Sequence, residues 1–238
     1  MPTSRMRIEV ASENSFIIYF NDHIAAHTSA QISACAACLR QSMGPLLVDM
    51  VPSYASLLVI YQAHLTDHYE VKGLIAQALT QVQDEATSTG KLIYLPVYYS
   101  QESGPDLPLL AQAANLTVAD TIALHHSMAY QVYAIGFAPG FAYLGEVDQR
   151  LAAPRIATPR LKVPKGAVAI ADRQTAVYPS QSPGGWNLIG LCPTPMFNPD
   201  QDPPMPVSVG DQIKFEPITR AEFLQQGGDE QLLLEPIA

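Results

Sequence analysis

Between Gly136 and Pro206 the chain carries seven of its 14 glycines and twelve of its 20 prolines. Glycine opens left-handed backbone and proline locks φ, so long helices are excluded there. Short apolar runs remain between the turns: "YQVYAIGF", "GAVAIA", "TAVYP", "WNLIG" and, further on, "DQIKFEPI". Runs of this kind, separated by turn residues, read as the strands of a barrel or a sandwich. Two stretches, "GFAPGFAYLG" over 136–145 and "SPGGWNLIG" over 182–190, set aromatic residues among Gly and Pro. Both are predicted to shape one surface and to lie in contact.

Upstream the texture differs. Residues 7–20 read as two short strands around a polar break at Ser12–Ser15. Residues 24–42 read as a helix ended by Gly44-Pro45, and "PLLVDMVPSYASLLVIYQ" reads as a hairpin with its turn at "PSYAS". Over 67–87, Val71, Leu74, Ile75, Ala78, Leu79 and Val82 make one helical stripe. Gly90 closes that helix and "KLIYLPVYY" resumes a strand. The expectation is a small α+β domain over 1–90, then a β-rich domain over 91–238 with a C-terminal tail. Two short helices, "DLPLLAQAAN" and "TVADTIALHHSM", precede the strands, the second opened by a Thr117/Asp120 capping pair.

Net charge is -9 over 238 residues, so bulk attraction to nucleic acid or to an anionic membrane is not expected. The longest apolar run is broken by Asp49 and Pro52, short of the roughly 18 residues a spanning helix needs. The opening "MPTSRMRIEV" has no apolar leader segment, and the expected location is cytoplasmic. Three cysteines argue against a disulfide framework, and Cys35 and Cys38 read as helix packing.

All six histidines (His23, His27, His64, His68, His125 and His126) precede residue 127, so the Gly/Pro region holds no self-contained Ser-His-Asp site. The pairs His23/His27 and His64/His68 lack a third ligand and read as surface or capping residues; no metal is expected. "STGKL" fails as a P-loop, because Glu85 stands where Gly is needed and a strand follows. The basic residues, by contrast, are concentrated. Arg150, Arg155, Arg160, Lys162, Lys165 and Arg173 are six of the thirteen, offset locally only by Asp172.

A candidate cleft follows, walled by Phe137, Phe141, Tyr143, Tyr178 and Trp186 and by the glycines and prolines of the two loops, Gly136, Pro139, Gly140, Gly184 and Gly185. Gln174, Arg155, Arg160 and Lys165 supply its polar groups. The spacing of five between Arg155 and Arg160 denies them a shared face on a straight strand, so the two are expected to be inequivalent, with Arg160 the one that reaches a ligand.

These residues carry a family resemblance. The order GF-x-PGF-x-YL, PR-x3-PR-x-x-VP-x-G, QT-x-x-YP-x-x-SPGGW, read here from "GFAPGFAYL" to "SPGGW", resembles the KipI family, whose members are also described as the B component of 5-oxoprolinase and as allophanate hydrolase subunit 1. The likeness is strong over about residues 100–220. Asp172 and Ala176 stand where the family tends to have glycine, and His125 matches a histidine usual in the family. The resemblance implies a cyclophilin-like closed β-barrel after the α+β domain. It implies an ATP-dependent opening of the 5-oxoproline lactam to glutamate, with a KipA-type partner and a LamB/YcsF-type partner completing the enzyme. The ATP site would lie on a partner or be shared with it, and the chain would be inactive alone. Arg160, Lys165, Gln174 and His125 are the expected catalytic groups. Inhibition of a sensor histidine kinase and a part in urea carboxylation are the alternatives that the same family implies.

Overall fold

In the first third of the chain, alternating apolar positions build a sheet and 3.6-residue stripes build the helices that cover it. The computed structural model describes residues 6–21, 26–85 and 90–234. It divides into two compact units, Met1–Gly90 and Lys91–Ala238.

In the first unit, β1 (Arg7–Ser12), β2 (Ser15–Tyr19), α1 (Ala26–Met43), β3 (Leu47–Pro52), β4 (Ser56–Tyr61) and α2 (His68–Glu85) follow in sequence. The sheet order is β1-β2-β4-β3, antiparallel throughout, with Phe16 opposite Val59 and Ile18 opposite Leu57. Those four residues and Tyr61 face a core completed by Ile32, Cys35, Leu39 and Met43 of α1 and Val71, Ile75, Ala78 and Val82 of α2. Each Val, Leu, Ile, Phe or Met among them contributes about 1.5–3 kcal/mol on burial. The expected α2 stripe is therefore the buried one.

Cys35 is fully buried, which pushes its thiol up to about 12, and the half-buried Cys38 donates to Gln81 Oε1 at 2.9 Å. Both are packing residues, and the cysteines are free. His68 packs its ring on Phe16 (4.7 Å) and hydrogen-bonds the Tyr61 hydroxyl. His23 and the His27 side chain lie outside the described residues.

In the second unit, β5 (Leu92–Val97), α3 (Leu107–Ala113) and α4 (Val118–Ser127) precede β6 (Ala129–Ile135), β7 (Ala142–Gly145), β8 (Arg160–Val163), β9 (Ala167–Ala171), β10 (Gln174–Val177), β11 (Ser182–Gly184), β12 (Asn187–Leu191) and β13 (Gln212–Pro217). Two short helices, α5 (Arg220–Gln225) and α6 (Gln231–Leu234), end the described chain. Seven strands form one curled sheet in the order β12-β9-β10-β7-β6-β13-β5, in which only the β13/β5 pair is parallel. Its two edge strands meet at one residue pair. Tyr98, just past β5, and Leu191 exchange hydrogen bonds of 2.8 and 3.0 Å. β8 and β11 form a separate two-stranded ribbon.

The β9–β10 hairpin turns through Asp172 at φ 51°, a left-handed position that Asp tolerates better than most residues. The Thr117 cap is formed, its hydroxyl accepting from the Asp120 N–H at 3.0 Å. Thr117→Ala is expected to lower stability by about 1 kcal/mol, read as a shifted urea midpoint of the Trp186 fluorescence transition. Among the described residues, no single helix is long and apolar enough to cross a membrane.

Candidate functional site

The two Gly/Pro loops converge as expected. The Phe141 ring lies edge-on to Tyr178 (5.3 Å, 90°) and Trp186 (5.7 Å, 88°), and against Tyr143 at 4.9 Å. Tyr143 in turn meets Trp186 at 6.3 Å. Edge-to-face packing of this kind orients rings as well as burying them. Phe137 extends the cluster outward at 5.4 Å from Phe141. Its side chain is 71 % exposed and its backbone stands at φ 74°, an uncommon, strained conformation for a bulky residue. Beside it opens a shallow groove of about 440 Å³, with walls that include Gly136, Phe137, Pro139, Gly140, Phe197 and Met205. Gly140 is required there. It sits at φ 85°, and a β-carbon would lie 2.6 Å from the Met196 carbonyl oxygen.

Behind the aromatic cluster, β8 pairs with β11 so that Arg160 faces Gly184. Gly184 lets the chain pass over the Tyr178 ring, since a β-carbon would fall 2.4 Å from the tyrosine oxygen. Gly185 accepts from the Ile156 N–H at 2.8 Å, which draws the "PRIATPR" loop alongside. Burial pushes the Tyr178 hydroxyl up to about 12, an effect that nearby Arg155 opposes. The hydroxyl therefore stays protonated at neutral pH and can donate to an anion.

Arg155 and Arg160 are inequivalent, but in the opposite sense to the expectation. Arg160 is tucked in, its side chain 13 % exposed, and its fork is held by Asp106 (Nη1–Oδ2 and Nη2–Oδ1, both 2.9 Å). A buried guanidinium without a counter-charge is costly, and Asp106 supplies that charge. Only the buried Nε of Arg160 has no partner. Arg155 and Lys165 are exposed. Lys165 lies at the β8–β9 turn, where the next residue, Gly166, donates to the Tyr178 carbonyl at 2.8 Å.

Gln174 borders this cluster and His125 is set apart from it. Gln174 starts β10, opposite Gly145 of β7 and Ala171 of β9. Tyr178 follows the far end of that strand, about 13 Å away by strand rise. His125 is fully buried on α4, stacked on Phe215 at 4.8 Å. Its Nδ1 bonds the Tyr99 hydroxyl at 2.8 Å and its Nε2 bonds Thr175 Oγ1 at 3.0 Å. Thr175 already donates to the Ala169 carbonyl, so Nε2 carries the proton and Nδ1 accepts from Tyr99. Burial lowers the His125 pKa to about 3. Both nitrogens are spent inside the core, which makes His125 a structural residue rather than one that reaches substrate.

Asp106 is the residue that the sequence pattern did not single out. The available signal was a lone acid in the Gly-Pro turn "SGPDL", where a buried carboxylate demands a cation.

A two-helix, four-stranded α+β unit followed by a curled, mainly antiparallel sheet with Gly/Pro-shaped loops is an architecture shared with carboxyltransferase-type proteins. Residues 6–207 match the family described as carboxyltransferase domain, subdomain C and D. The curated B component of 5-oxoprolinase from Bacillus subtilis (strain 168) is 33 % identical over 93 % of this chain and 96 % of its own. That of Escherichia coli O157:H7 is 35 % identical over 73 % of this chain and 79 % of its own. The chain thus belongs to the carboxyltransferase subdomain C and D family, in the branch that holds the curated B components of 5-oxoprolinase.

Among solved structures, TTHA0988 is similar with a TM-score of 0.75 at 32 % identity, over 86 % of this chain. The present chain spans only 39 % of that longer protein. PH0987 from Pyrococcus horikoshii is 41 % identical with a TM-score of 0.55, over 91 % of this chain and all of its own. The Kluyveromyces lactis urea carboxylase, at 14 % identity and a TM-score of 0.70, shares the fold.

Proposed function

We propose that this chain is the B component of an ATP-dependent 5-oxoprolinase, opening the lactam of 5-oxoproline to glutamate with a KipA-type partner and a LamB/YcsF-type partner in the cytoplasm. The observation that carries this reading is the identity to a curated B component along nearly the whole of both chains. The Tyr98–Leu191 pair supports taking the curled sheet of residues 91–238 as a cyclophilin-like barrel closed at that point.

The substrate site lies at the aromatic cluster. 5-Oxoproline is a small, flat anion with an amide in its ring. The Tyr178 hydroxyl and the exposed Arg155 guanidinium receive its carboxylate, the buried rings of Phe141 and Trp186 form the floor beneath, and Lys165 sits at the rim. ATP supplies the activation of the lactam carbonyl, and the described residues of this chain offer it no phosphate cradle. Gly90-Lys91 leads into β5, a strand, where a phosphate loop would lead into a helix. The nucleotide therefore belongs to a partner or to a face shared with one, and the present chain orients the lactam and keeps water from it.

The test is 5-oxoproline-dependent ADP release by the three reconstituted components, with each omitted in turn. Loss of turnover on omission of this chain is the expected result; full turnover without it overturns the reading. Arg155→Ala is expected to lower kcat/KM for 5-oxoproline by roughly ten- to a hundredfold, or about 1.5–3 kcal/mol, with the melting temperature unchanged because Arg155 is exposed. A variant as active as wild type would remove Arg155 from the site.

A further inference from the structure

We propose that Asp106 is the positioning residue of the candidate site, a single carboxylate that ties down both ends of the Gly184–Leu188 segment forming its wall. One end is held through Arg160. The fork of Arg160 rests on Asp106, and its backbone pairs with Gly184 across the β8–β11 ribbon. The other end is held directly, because the Leu188 N–H donates to Asp106 Oδ2 at 2.7 Å and the Asp106 N–H donates to the Leu188 carbonyl at 3.1 Å. Gly185, Trp186 and Asn187 lie between the two ties.

Three features make the carboxylate decisive. The ribbon is short and irregular, with a register shift between Ser182 and Gly184, so its own ladder constrains the Gly184 end weakly, whereas Asn187 and Leu188 are also paired with Ile170 and Ala169 of β9. The carboxylate is itself immobile. Asp106 is 5 % exposed, and the preceding Gly104 lies so close to β12 that a β-carbon there would stand 2.2 Å from the Ile189 carbonyl carbon. Among the described residues, nothing but Asp106 holds the Arg160 guanidinium, whose Nε has no partner. Asp106 also neutralises Arg160, which leaves Arg155 as the cation beside Tyr178 with its charge free for a ligand.

The kinetic consequence rests on the 5-oxoprolinase reading, and the structural one does not. Trp186 is the only tryptophan in the chain and is 4 % exposed, so its fluorescence reports the wall directly. In the full-length chain, D106N is expected to keep the overall fold by circular dichroism while Trp186 emission shifts to the red and acrylamide quenching rises. R160Q should do the same in part, and the double variant should be no worse than D106N alone, because Arg160 acts only through Asp106. In the reconstituted complex, D106N should raise KM for 5-oxoproline about tenfold with kcat little changed. A folded D106N with wild-type quenching overturns the proposal, as do effects of D106N and R160Q that add. Should D106N fail to fold, R160K takes its place. It keeps the charge but loses the fork, so raised quenching supports the proposal and wild-type quenching overturns it. If the wild-type complex releases no ADP with 5-oxoproline, the functional reading falls, and the Trp186 signal still decides the role of Asp106.

Discussion

At pH 7, His125→Ala lowers the unfolding free energy of the Lys91–Ala238 unit by about 3–4 kcal/mol. The substitution deletes a fully buried ring that packs on both Phe215 and Tyr130. It also leaves the Tyr99 hydroxyl without its acceptor and Thr175 without its donor. The loss depends on pH with a definite sign. The folded-state pKa of His125 is depressed to about 3 from the ordinary value of 6.5, so between those values the unfolded chain binds a proton that the folded chain refuses. The contribution is complete above pH 6.5 and falls by about 1.4 kcal/mol per pH unit below it. His125→Ala lacks that proton uptake. The gap between wild type and variant therefore narrows by about 2 kcal/mol from pH 7 to pH 5, read from urea midpoints of Trp186 fluorescence. A gap that stays constant or widens on acidification would mean that His125 is charged in the folded protein.

Gly104→Ala has the second large effect, at about 3 kcal/mol. The new methyl would lie 2.2, 2.4 and 2.6 Å from the backbone carbon, oxygen and Cα of Ile189. Backbone cannot rotate away as a flexible side chain can, so the "SGPDL" turn must lift off β12. Lifting it breaks the Asp106–Leu188 pair of hydrogen bonds and withdraws the carboxylate from Arg160. Urea unfolding measures the cost, and Trp186 quenching in the folded variant measures the displacement. A variant as stable as wild type would show that the turn has room that its geometry denies.

Much of the fold was legible because local patterns agree with it. The α2 stripe from Val71 to Val82 is buried where the periodicity put it, and Thr117 caps α4 through its hydroxyl. The "PSYAS" turn joins β3 to β4, which pair as a hairpin. The candidate site was legible in composition more than in role. The aromatics of the two Gly/Pro loops do pack together, since glycines and prolines around bulky rings mark backbones shaped for close approach. The sequence did not show that Arg160 and His125 are paired inside the fold, for one shared reason. A charged or titratable residue in a motif looks the same in sequence whether it faces a ligand or a buried partner, and only pairing in space separates the two.

By itself, the sequence determined the change of architecture along the chain, the strands and helices of each part, and the meeting of "GFAPGF" with "SPGGW". Periodicity and backbone permissiveness are local properties, and they are written residue by residue. The tertiary structure alone decided which arginine is free. Asp106 lies 54 positions before Arg160 and 82 before Leu188 in the chain, yet it bonds both. It also decided that His125 sits neutral in the core, because burial disfavours its charged form, while Thr175, 50 positions away, accepts from Nε2–H and sets the tautomer. Burial and long-range hydrogen bonds set the state of an ionisable group, and neither is encoded near the residue itself.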